Sequence, residues 1–153
     1  MQRILLVLLY STVSAQLCAQ IATNELAAVN DRFAGTVQVK IDRRDNFIFD
    51  FFDANGRFRQ DVVPVEQLDA HNLHYSVEED AVILACKGEF PQCISKEIFK
   101  LNTIRATGRS NLSRPASDDG GAASMEALRV LILAAQEQLV ALGETREAPP
   151  RRK

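Results

Sequence analysis

The stretch FDFFDANGRF, Phe49–Phe58, decides how the rest of the chain is read. It carries D-x-N-G, a fragment of a calcium-binding loop, set between two aromatic runs. A loop of the EF-hand type needs oxygen ligands at its first, third, fifth and twelfth positions, with Gly at the sixth. With Gly56 sixth, Asp53 and Asn55 fall correctly, but Phe51 stands first and Val62 twelfth. Two side-chain ligands do not replace the six or more oxygens the cation takes.

A hairpin turn fits the same residues, in one of two registers. A two-residue loop at Asn55-Gly56 sets Asp50 opposite Asp61, a repulsive pair. A type I turn over Asp53-Ala54-Asn55-Gly56, with Gly56 left-handed, sets Asp53 opposite Arg57 and Phe52 opposite Phe58. The second register is expected, because both of its cross-strand pairs are favourable.

Working outward, period-two alternation continues on both sides. TVQVKID, Thr36–Asp42, puts Val37, Val39 and Ile41 on one face. Further strands are expected at Phe47–Asp53, Arg57–Val65, His71–Val77, Ala81–Lys87 and Cys93–Leu101. AVILACK is apolar on both faces, as suits a well-covered strand. The fold class is therefore mainly β, a sandwich or partly open barrel over residues 33–107. Three Gly, three Ser and a Pro mark 108–121 as a flexible loop. A helix is expected over 122–143, where Met125, Leu128, Ile132, Ala135, Leu139 and Leu142 form one apolar stripe that must pack on the sheet. Asp118 or Asp119 charges its N-terminal end, and Gly143 offers a C-terminal cap. ATNELAAVNDRF permits a short helix in the leader over 16–32, and the polar, Pro-rich tail over 144–153 reads as disordered.

This element order, strands followed by one C-terminal amphipathic helix, resembles the pleckstrin-homology-like barrel, in which the helix closes one open end. With the turn-bracketing cysteines, it also resembles small exported bacterial proteins of unknown function. The resemblance covers Phe33 to Leu142 and implies a fold; it carries over no functional residues.

MQRILLVLLYSTVSA combines a basic residue, a short apolar run and small residues at Val13-Ser14-Ala15. Residues 1–15 thus read as a signal peptide, cleaved after Ala15 or, removing Cys18 as well, after Ala19. The run is too short to span a bilayer, which takes about 20 residues. Export, to the periplasm or beyond the cell, makes a disulfide between Cys86 and Cys93 the expected state, closing the turn KGEFPQ.

Candidate chemistry is sparse. His71 and His74 alternate to opposite faces of a strand, so they do not share a metal. Glu78, Glu79 and Asp80 read as a solvated turn, and Arg105, Arg109 and Arg114 fall in or beside the expected loop. No nucleophile elbow, zinc motif or phosphate loop occurs. No catalytic, cofactor or metal residue is assigned, and a net charge of −2 gives no reason to expect nucleic acid. Phe47, Phe49, Phe51 and Phe52 form a candidate apolar patch unless the helix covers them. The function expected is an exported, non-catalytic domain binding a protein, peptide or small apolar ligand. The alternative is a small exported hydrolase whose carboxylates meet only in the fold.

Overall fold

A computed structural model describes residues 22–147. The expected signal peptide over 1–15, Cys18 and the residues from 148 onward lie outside the described residues. Helix α1 (Thr23–Arg32) comes first. Strands β1 (Val37–Ile41), β2 (Asn46–Asp53), β3 (Gly56–Pro64), β4 (His74–Ser76), β5 (Ala81–Ala85), β6 (Ile94–Ile98), β7 (Thr103–Thr107) and β8 (Arg109–Ser113) follow, and helix α2 (Ala122–Glu147) is the last described element. The strands make two antiparallel sheets that do not close: β1-β2-β3-β6-β7 and β4-β5-β8. Mainly β with one long C-terminal helix is the class the periodicity implied.

Alternation explains the core. Val37, Val39, Phe47, Phe49, Phe51 and Val63 point to one face of the larger sheet. Val82 and Leu84 of β5, Leu112 of β8, and Leu128, Leu131, Ile132 and Ala135 of α2 meet them there, with Val29 and Phe33 from the first helix. β5 is buried on both faces from Ala81 to Leu84, as its unbroken apolar run demands.

The β2–β3 hairpin follows the expected register over most of its length. Phe51 faces Arg59, Asp50 faces Gln60, Phe49 faces Asp61 and Phe47 faces Val63. At the tip the expected pairs do not form: Asp53 faces Gly56, and Phe52 faces Arg57. The Asp53 carboxylate accepts the Asn55 N–H at 2.7 Å and Gly56 takes φ +104°, which shortens the loop. A bulge between Phe51 and Phe52 absorbs the extra residue, and the Phe58 ring packs 6.4 Å from that of Phe51. Asp50 and Asp61 are thereby kept from facing each other.

Three expectations are corrected. The stretch 108–121 is not a flexible loop: β8 occupies Arg109–Ser113 and pairs with β5, and Arg114 is held by Asp80. Its period of two is hidden in composition, since the inward residues are Ser110 and Leu112, both buried. β7, at Thr103–Thr107, lies beyond the last strand expected. Helix α2 runs through Gly143 to Glu147 instead of stopping there. Its N-terminal end is as expected, with the Asp118 carboxylate accepting the Ala123 and Ser124 N–H groups at 3.1 and 2.7 Å.

Cys86 and Cys93 are joined, with Cα atoms 5.8 Å apart. The bond ties the end of β5 in the smaller sheet to the start of β6 in the larger. The chain crosses between sheets again at Gly108, between β7 and β8, and these two crossings touch. The Cys86 N–H donates to the Gly108 carbonyl at 2.9 Å, and a Cβ on Gly108 would lie 2.5 Å from the Pro91 carbonyl oxygen.

Replacing both Cys86 and Cys93 by Ala is expected to lower the unfolding free energy by about 2–3 kcal/mol. Urea unfolding checks it; a loss well under about 1 kcal/mol would show the corner holds without its bond. Asp118→Ala is expected to cost about 1 kcal/mol by the same measurement, with far-UV circular dichroism unchanged below the transition.

Candidate functional site

One transverse row of side chains crosses the larger sheet: Val39, Phe49, Asp61, Lys96 and Arg105, each opposite the next. The row begins in the apolar core and ends in solvent. Asp61, at its midpoint, is fully buried. Beside it the Arg59 guanidinium stacks on the Phe51 ring, 3.5 Å from the ring centre. That guanidinium also donates to the Asn111 side-chain and backbone oxygens, each at 2.9 Å, and to the Ser110 hydroxyl at 3.3 Å. Ser110 in turn donates to the Asp61 carboxylate. Arg59 Nε and Asp61 Oδ1 lie 3.2 Å apart, close enough to attract yet misaligned for a hydrogen bond. Burial pushes the Asp61 carboxyl up from its ordinary value, and Arg59, Ser110 and Lys96 reverse only part of that. A polar wedge thus fills the space between β3 and β8 where the apolar core ends.

The second buried carboxylate, Asp50, points to the opposite face of the sheet and is 2 % exposed. Lys40, Arg57 and Gln60 donate to it at 2.8, 3.0 and 2.6 Å. Burial pushes its carboxyl up, but these three donors outweigh that and hold it below 3.8. The sheet therefore separates Asp50 from Asp61. Neither lines the groove of about 460 Å³ between Asn30 and Asp53, nor that of about 510 Å³ beside Leu133 and Val140. The pair of carboxylates converging on an open pocket that a carboxylate-based hydrolase would use is not formed by these two.

The sequence-level candidates are scattered. Phe47, Phe49 and Phe51 are core, so the apolar patch does not form; Phe52 alone turns to the other face, half-buried. His71 and His74 are both exposed, and only His74 lies in a strand. Glu79 pairs with Arg109 and bonds Asn111, while Asp80 holds Arg114 and the Tyr75 hydroxyl. Arg105 and Arg109 stand on β7 and β8, not in a loop. The Asp61 wedge was missed, although one signal existed: the expected register sets Asp61 opposite the buried Phe49, and so points a carboxylate inward.

The strand edges differ in how they are covered. β1 is closed by the Asn30 side-chain amide, which accepts the Val39 N–H at 2.6 Å and donates to the Val39 carbonyl at 2.9 Å, as a neighbouring strand would. β8 has its Asn111 carbonyl taken by Arg59. β4 is three residues long. β7 has β6 on one side and, among the described residues, no backbone partner on the other. Its side chains from Thr103 to Ala106 are exposed on both faces, Ile104 at 67 %, and the neighbouring Leu101 is 62 % exposed.

No family model, curated protein or solved structure matches this chain. Among the described residues, no group of three or more His, Cys, Asp or Glu is placed to hold a metal ion, and no helix is long and apolar enough to cross a membrane.

Asp50→Asn is expected to cost about 1–2 kcal/mol at neutral pH, where the wild-type carboxylate is charged. A carboxyl whose folded pKa is depressed stabilises above its unfolded value, and that contribution is lost as pH falls through the folded one. The gap between variant and wild type should therefore narrow as pH falls through and below the ordinary carboxylate range, by urea unfolding across pH. A gap that persists there would locate the cost in packing.

Proposed function

We propose that this chain is an exported, non-catalytic binding domain that takes an extended peptide segment as an added strand on β7. The free edge of β7 carries the reading. An edge strand presents a row of unpaired N–H and C=O groups, and folded proteins ordinarily shorten, cover or bend such edges away. Here β1 is covered by Asn30, β8 has a carbonyl occupied by Arg59 and β4 is short, while the five residues of β7 stay open. Main-chain hydrogen bonds to such an edge supply affinity, and alternate side chains supply selectivity. The signal-like N-terminus and the Cys86–Cys93 bond support export, since structural disulfides persist in oxidising compartments. Non-catalytic action is favoured because the carboxyl raised by burial, Asp61, is enclosed by Ser110 and Arg59.

Binders selected from a random nonapeptide library against residues 22–153 test the reading. N-methylation along a selected peptide should weaken binding at every second amide only, by about 3- to 10-fold each. Amide exchange should slow within 103–107 when the peptide is bound. A methylation profile without period two, or protection elsewhere, would refute strand addition.

A further inference from the structure

The transverse row ends in two cations, Lys96 and Arg105, directly opposite each other on β6 and β7. Like charges in that relation repel and weaken the strand pair. No ion pair or hydrogen bond joins either side chain to another described residue. Arg59 and Arg109 stand close by, and the crowding registers on Lys96. Burial, and then the positive charges of Arg59, Arg105 and Arg109, hold its ammonium below the ordinary value of 10.5 against the pull of Asp61. Four cations thus gather on this side of the sheet with two anions, Asp61 and Glu79, while Glu97, next along β6, lies on the other side. Asp61 is engaged by Arg59 and Ser110, and Glu79 by Arg109 and Asn111. The surplus positive charge therefore lies on Lys96 and Arg105, on the face of the ribbon that borders the open edge.

The opposite face of the same edge is apolar along β7 itself, with one carboxylate, Glu97, standing opposite Ile104 on β6. Ile104 alternates with Arg105 along β7 and is widely exposed, with Leu101 nearby. A strand added to β7 would set one residue beside Arg105 on the cationic face and its chain neighbours beside Ile104 on the apolar face.

We infer that the occupant of β7 is an extended acidic peptide in which carboxylates alternate with apolar side chains. The carboxylates face Arg105 and Lys96, and the apolar residues cover Ile104. This inference rests on β7 being the binding edge. A carboxylate entering there supplies the counter-charge the fold leaves out, and it does so at a partly desolvated ammonium, where screening is weakest.

Capped peptides of alternating Val and Glu, with Gln and Lys counterparts, provide the test by isothermal titration against residues 22–153. At about 20 mM NaCl the Glu peptide should bind about tenfold more tightly than the Gln peptide, with the advantage shrinking at about 200 mM. The Lys peptide should not bind. Arg105→Glu should reverse the preference, so that the Lys peptide binds and the Glu peptide does not. Arg105→Thr should lose the Glu preference while raising Tm by about 1–3 °C, because a repulsive pair is removed.

Equal affinity for the Glu and Gln peptides overturns the acidic preference and leaves strand addition standing. Binding by none of the peptides overturns both. A single-stranded oligodeoxynucleotide that binds as tightly as the Glu peptide would show general polyanion affinity and sink the inference. So would an Arg105→Thr protein that dimerises with its Glu-peptide affinity unchanged, since Arg105 would then serve only to keep two edges apart.

Discussion

Two of the three passages of the chain between sheets, β5 to β6 and β7 to β8, meet at one corner, and the open edge and the buried charge cluster follow from it. β5 leaves the smaller sheet at Cys86 and enters the larger at Ile94; β7 leaves the larger at Thr107 and re-enters the smaller at Arg109. The Cys86–Cys93 bond, the Cys86 N–H to Gly108 carbonyl hydrogen bond and the approach of Gly108 to Pro91 bind these passages together. Because β7 turns away here, it keeps only one strand neighbour. Because β8 is delivered to the smaller sheet beside β3, Ser110 and Asn111 reach Arg59 and Asp61. The open edge and the buried charge cluster are two consequences of a single crossover.

Across the larger sheet the environment changes from oil to water in five side chains. Val39 and Phe49 belong to the core that α2 covers, and Arg105 belongs to solvent. The residues between manage the transition. A buried carboxylate without partners would cost several kcal/mol. Asp61 avoids this with a guanidinium flat on the Phe51 ring and a serine hydroxyl on its other oxygen. Asp50 answers the same difficulty differently on the other face, drawing three donors over itself from Lys40, Arg57 and Gln60. Asp50 is fully hydrogen-bonded, whereas Asp61 keeps one oxygen held only by the nearby charge of Arg59. The polarity left unspent gathers farther out, on β6 and β7.

Much of the fold was legible, and what was missed has a common cause. The alternation in TVQVKID, the apolar run AVILACK and the stripe from Met125 to Leu142 each name an element because burial of one face imposes a period. The β2–β3 register was legible from Phe51 inward, because Asp50 opposite Asp61 is repulsive; the tip was not, since a bulge is a backbone adjustment that side-chain pairing leaves undetermined. β8 looked like a loop because its buried positions include a serine. Ser110 is inside for the sake of Asp61, nearly fifty positions earlier in the chain, and a local window contains no trace of that bond.

Spacing along the chain was enough for the fold class, a hairpin turn with Gly56 left-handed, an acidic cap for α2 at Asp118 or Asp119, and the pairing of the two later cysteines. All of these arise between residues close in the chain, where spacing alone sets geometry. Only the packing of distant segments fixed which strand keeps a single neighbour among the described residues, which phenylalanines are hidden, and which cations stand together without an ion pair there. Those properties depend on strand order, and strand order is set by which hydrophobic faces find each other in space, a long-range choice that no periodicity records.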